Sequence, residues 1–219
     1  MTEQEWLAAT DSTPMVTVLR GKSTERKLRL FAVACCQRIR HLLTDKFARN
    51  ALKIAEQYAD GKVAAVKVRL AWGDARRSAQ TAYRQGRENA EAVAMWAVAE
   101  CCSSDTATVL TAVHHAAGCE AYPGNASALT LAQGRQVALL HDIFGNPFRP
   151  VVVDPDWLTS TAVALALAIY VDRAFDRLPI LADALQDAGC EDEDILAHCR
   201  GDGPHVKGCW VVDLVLGKE

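Results

Sequence analysis

Apolar residues recur along this chain at intervals of three and four, the period of one helix face. Leu28, Phe31, Cys35, Ile39 and Leu42 form one such stripe; Phe47, Ala51, Ile54 and Tyr58 form another. Val68, Trp72, Ala75, Ala79 and Tyr83 form a third, inside a helix expected over 62–85. Start signals agree with the stripes. Thr2 with Glu5 is a capping box, Thr13-Pro14 an N-cap and N1 pair, and Ser23 or Thr24, then Thr44, precede the first two stripes. Gly21 and Asp60-Gly61 are stops. The alanine-rich middle, 88–140, is again helical, broken near Ser103-Ser104-Asp105 and at Tyr122-Pro123-Gly124-Asn125. Gly145-Asn146-Pro147-Phe148-Arg149-Pro150 halts helical structure, and Val151–Val153 reads as an extended connector.

Beyond it the pattern predicts a core helix from Thr159 to about Ala174, a second over Ile180–Ala188 stopped by Gly189, and a short one over Asp192–Arg200. Trp210–Leu216 suits strand or helix by itself and is assigned to helix in a chain otherwise helical. Ala162–Val171, apolar around its whole circumference, is expected to be the most buried element. The expectation is an all-α multi-helix bundle of roughly nine to eleven helices with a short extended connector near 150–153. One domain spans 1–219, with 145–219 as a candidate C-terminal subdomain.

Composition sharpens this picture. Half of the 219 residues are apolar but only 6% aromatic, and alanine with leucine is what closely packed helices use. The longest apolar run, Ala162–Val171, is half a membrane span, so no membrane partner is expected. Eight cysteines without an N-terminal signal sequence point to a reducing cytoplasm. Net charge is −3, unevenly spread: residues 20–87 hold 17 Lys and Arg against 5 Asp and Glu, while 172–219 hold 5 against 11.

Potential chemistry concentrates in the tail, Cys190 to Cys209. Cys190, Cys199, His205 and Cys209 read C-x8-C-x5-H-x3-C, with His198 as an alternative ligand. Thiolate and imidazole are what zinc prefers, and the last pair has conventional close spacing; the first does not. The competing reading is that Ile195, Leu196 and Cys199 face the core of a short helix, a free cysteine behaving as a small hydrophobe. A third makes Cys199, His205 and Cys209 a thiol- or metal-dependent catalytic group, though no third orienting group accompanies it. Packing is the preferred reading. It is preferred also for His115 and Cys119, four apart on one helix face, and for the adjacent pairs Cys35-Cys36 and Cys101-Cys102. Glu191-Asp192-Glu193-Asp194 most simply favours a helix start. Phosphate loops, dinucleotide fingerprints, H-E-x-x-H and G-x-S-x-G are all absent from the sequence.

Three blocks carry a family resemblance. They are Glu5-Trp6-Leu7 with Arg26–Ala32 and Cys35-Cys36; Phe144–Pro150; and Ala174–Leu185 continuing through Asp194–Gly201, Gly203-Pro204-His205-Val206 and Gly208–Leu214. Together they resemble an uncharacterised protein family abundant in planctomycete bacteria. The resemblance implies a cytoplasmic bacterial protein with one inseparable fold, and carries no activity or catalytic residue.

The expected function is a helical protein-interaction or regulatory module without catalysis, partnered by another protein. One alternative is nucleic-acid binding through Arg26, Arg29, Arg38, Arg40, Arg69, Arg76 and Arg77, although a solvated or internally paired basic face is the preferred reading of these residues. The other is a zinc- or thiol-dependent enzyme centred on 190–209.

Overall fold

The computed structural model describes residues 1–84, 90–122 and 125–218. Arg87, the end of the helix expected over 62–85, and the Pro123-Gly124 break lie outside the described residues. Among those described, 73% helical in all, there are twelve α-helices, ten of seven residues or more, and no strand. They are α1 (Glu3–Leu7), α2 (Ser12–Leu19), α3 (Glu25–Arg38), α4 (Lys46–Ala59), α5 (Ala65–Arg84), α6 (Ala90–Cys101), α7 (Thr106–Glu120), α8 (Ala126–Phe144), α9 (Ser160–Asp172), α10 (Leu178–Asp187), α11 (Glu193–Arg200) and α12 (Trp210–Val215). No described helix is long and apolar enough to cross a membrane. The chain forms two compact units: residues 8–137 with Met1, and residues 2–7 with 138–219.

In the first unit the caps do what their chemistry requires. Thr24 accepts from the Lys27 N–H, Asp45 from the Phe47 and Ala48 N–H groups, and Asp105 from Ala107 and Thr108, each satisfying orphan donors of a first turn. The second helix begins two residues earlier than its Thr13-Pro14 signal, because Asp11 is the cap. α3 is the centre of this unit. Leu28 to Cys36 are buried without a break, against α4, α6 and α7. The third stripe is half right: Val68, Ala75 and Ala79 are buried, whereas Tyr83 is exposed and Ala82 takes its place.

Most of the arginines expected to face nucleic acid are committed elsewhere. Arg29 is 1% exposed, donates to the Cys101 carbonyl and to Glu25, and lies over the Tyr58 ring at 5.1 Å; this buried cation is no phosphate ligand. Arg26 reaches Asp60, Arg38 pairs with Glu120, Arg77 with Asp74, and Arg76 stacks on Trp72 at 5.0 Å. Arg40 and Arg69 remain exposed. His115 bonds Glu100 at 2.8 Å and the Cys119 thiol donates to the Ala90 carbonyl.

In the second unit, Thr2 and Glu5 form the reciprocal capping box, each backbone N–H donating to the other's side chain. α9, α10, α11 and α12 close around a core of Ala166, Ile169, Leu181, Leu185, Ile195 and Val212. α9 is not the most buried element. Leu167 and Val171 are 50% and 60% exposed, because only the Ala162–Ala166–Ile169 face meets α10 and α12, and a small unit lacks the material to cover both faces of every helix.

Candidate metal centre

Asp142 lies in the last turn of α8, His198 in the last turn of α11, His205 in the following loop, and Cys209 immediately before α12. Each position follows from local structure. Asp192 caps α11 through the Ile195 N–H at 3.0 Å, and Ile195 and Cys199 turn inward, which leaves His198 on the rim of the buried face. Arg200 fastens the end of the helix to Asp183 and Gln186 of α10. The chain then doubles back. The Val206 N–H donates to Asp142 Oδ2 at 2.9 Å, and the Cys209 N–H to the Val206 carbonyl at 3.0 Å, which brings the thiol under His198.

Gly145, at the end of α8, supports the same corner. Its φ of +59° suits glycine, and a Cβ there would approach the Trp210 ring to 3.1 Å. Its carbonyl receives the Trp6 indole N–H at 3.0 Å. Trp210 in turn packs on His198, ring centroids 5.3 Å apart.

One donor atom from each of Asp142, His198, His205 and Cys209 lies within 4.8 Å of all the others. His205 Nδ1 is 2.7 Å from Asp142 Oδ1, and His198 Nε2 is 3.2 Å from that same oxygen. His198 Nε2 is also 3.2 Å from Cys209 Sγ. The imidazole rings meet edge to face at 4.9 Å. The group is largely dry: Asp142 is 3% exposed, Cys209 fully buried, and the two histidine side chains 15% and 10% exposed. His198 additionally forms one wall of an open cleft of about 320 Å³ shared with Arg149, Asn146 and Trp210, which gives an ion a way in.

Charge follows the geometry. Burial pushes the Asp142 carboxyl up, but the hydrogen bonds from His198 and His205, the His198 charge and the Val206 N–H outweigh it and hold it below the usual range. Burial pulls His205 down, yet its bond to Asp142, that carboxylate's charge and the Gly201 carbonyl raise it overall. Burial and the Asp142 charge drive the Cys209 thiol well up.

A Cys-His-Asp relay needs the sulfur on one ring nitrogen and the carboxylate on the other; here both converge on His198 Nε2. One nitrogen carries one proton or one lone pair, so a proton there satisfies only one of the two neighbours. A cation at the common point satisfies all four. Tetrahedral zinc with bonds of about 2.0–2.3 Å sets its ligand atoms about 3.3–3.6 Å apart; here the two separations from His198 Nε2 are 3.2 Å, His205 Nδ1 and Asp142 Oδ1 are drawn together to 2.7 Å by their hydrogen bond, and all four atoms lie within 4.8 Å of one another. Two imidazoles, one thiolate and one carboxylate form a borderline-soft set that suits zinc over the oxygen-seeking magnesium and calcium.

The structure therefore brings His205, Cys209 and the alternative ligand His198 together, and leaves out Cys190 and Cys199. Both of the latter are buried in the apolar core beside Leu181, Leu185 and Ile195. Burial raises both thiols, Cys199 to about 12. Their place is taken by Asp142, which sequence reasoning missed. A signal existed: Asp142 stands among Leu139, Leu140 and Ile143, on a helix flank that the apolar pattern reserves for the core. Comparison with known proteins finds no matching family model, no similar curated protein and no similar solved structure.

Proposed function

We propose that the unit of residues 2–7 and 138–219 is a zinc-stapled helical module, acting by interaction and not by catalysis. The observation that carries this is the convergence of Asp142 Oδ1 and Cys209 Sγ on the one nitrogen His198 Nε2. Four protein ligands fill a tetrahedron and leave no position for substrate, the pattern of a structural ion. Such an ion ties the end of α8, the end of α11, the 201–209 loop and the start of α12. Eight unpaired, buried cysteines suit a reducing cytoplasm, where the thiolate ligand stays available.

The test is metal content after purification from zinc-supplemented culture. One equivalent of zinc in the parent, and clear loss in His198→Gln and Cys209→Ser, supports the site; metal-free parent protein ends it. Cys199→Ser serves as control and should keep its zinc.

A further inference from the structure

Residues 20–84 carry sixteen Lys and Arg against five Asp and Glu, and every one of those five carboxylates is already engaged. Glu25 pairs with Arg29, Asp74 with Arg77, and Asp60, whose side chain is almost fully buried, with Arg26 and Lys62. Glu56 is 7% exposed, and Asp45 caps α4 while accepting from the Ser78 hydroxyl. The positive charge left over is therefore not neutralised within this segment.

On α4 that charge is ordered. Lys46, Arg49 and Lys53 are exposed at spacings of three and four, with Asn50 between them and Gln57 one turn on. The opposite side, Ala48, Ala51, Leu52, Ile54 and Ala55, is buried. None of the three cations meets a carboxylate among the described residues: Lys46 lies over the Phe47 ring, and Arg49 donates to the Thr44 carbonyl while keeping further N–H donors. At 1.5 Å of rise per residue they span about 10 Å, the length over which one nucleic-acid strand presents roughly three phosphates. The α5 helix, packed beside α4, adds Lys67, Arg69 and Arg84, exposed and likewise without a carboxylate.

We propose that this face of α4 is a docking site for the phosphodiester backbone of nucleic acid, with Lys46, Arg49 and Lys53 on successive phosphates and Asn50 and Gln57 as amide donors. A protein partner fits less well. Protein interfaces are built around a cluster of apolar side chains, and among the large apolar residues of α4 only Phe47, under Lys46, is exposed, whereas backbone recognition requires only cations and hydrogen-bond donors. Contacts of this kind carry no sequence information, so RNA and DNA of any sequence should bind.

The experiment uses the full chain and labelled 20-nucleotide single strands and duplexes of DNA and RNA, read by fluorescence anisotropy at 50 and 200 mM salt. Three phosphate contacts on duplex DNA give a log–log salt slope of about −2.7, so affinity should fall roughly fortyfold or more over that range. In Lys46→Gln/Arg49→Gln/Lys53→Gln, with circular dichroism and melting unchanged, the slope should flatten by about 2.7, and by less in the α5 pair Lys67→Gln/Arg69→Gln. Failure of the parent to bind any of the four ligands at 50 mM overturns the proposal. So does a triple variant with the parent's affinity and slope. Salt-sensitive self-association of the parent, without nucleic acid and lost in the triple variant, also overturns it by assigning the face to the acidic tail of a second copy.

Discussion

On the proposed zinc site, removing the ion and removing the Cys209 sulfur should have one and the same effect on the second unit, and the size of that effect follows from the site. An ion bound only by the folded state stabilises it by RT ln(1 + [Zn]/Kd), about 2.7 kcal/mol when free zinc is a hundredfold above Kd. For a domain of under 100 residues each kcal/mol shifts Tm by about 4–8 °C, so chelation should lower the melting of this unit by roughly 11–22 °C. It should not unfold it at room temperature. Without the ion, Asp142 still accepts from His205 Nδ1–H and the Val206 N–H, and Ile195, Leu181 and Val212 keep their core. Cys209→Ser should melt like the chelated parent and respond little to chelator, since serine offers zinc a far poorer ligand while retaining shape. Asp142→Asn goes further: it removes the charged acceptor of His205, and should cost about 1.5–3 kcal/mol more even under chelation. Hydrogen exchange of amides 195–215 assigns the change to this unit, where protection should drop on chelation in the parent alone. A parent whose melting and exchange ignore both zinc and chelator refutes the reasoning, and so does a Cys209→Ser variant that still loses the full increment.

Three further outcomes follow from the burial pattern. Arg29→Ala leaves the Cys101 carbonyl without its donor and strips a cation from the Tyr58 face; a charged hydrogen bond of about 1.5–3 kcal/mol plus about 1–2 for the cation–π contact predicts a loss of roughly 3–5 kcal/mol by urea unfolding. Leu167→Asp should stay soluble and melt near the parent, since that side chain is half exposed, whereas Ile169→Asp, two residues on and fully buried, should abolish folding by burying an unpaired charge. His115 is raised chiefly by its hydrogen bond to Glu100, burial opposing and the Glu100 charge assisting. A raised folded value means the contribution is full below the usual histidine range and lost as pH rises through the raised value, so melting of the first unit should fall between pH 6 and 8, and the slope should flatten in His115→Gln.

What could be read from the sequence was what local physics decides. Thr2 and Glu5 announced a capping box because both partners sit within one turn, and Leu28, Phe31 and Cys35 announced a buried helix because the 3.6-residue period is intrinsic to the backbone. α9 was misjudged for the complementary reason: an all-apolar sequence states what a helix tolerates, while exposure of Leu167 depends on how many neighbours the unit possesses. The candidate metal ligands lie between these cases. His198, His205 and Cys209 share a tail short enough to be suspected, but residue type, against the spacing, brought in Cys190 and Cys199, whose thiols resemble ligands on paper and hydrophobes in the core. Asp142 was hidden by distance along the chain, since nothing at position 142 indicates that the loop after α11 will fold back and present the Val206 N–H and two imidazoles to it. Yet a carboxylate among Leu139, Leu140 and Ile143 breaks the rule the rest of α8 obeys, and a buried charge persists only where partners are guaranteed. The pattern-breaking residue and the unexplained histidines are each incomplete alone, and the cation that four converging donors would hold is what makes one account of both.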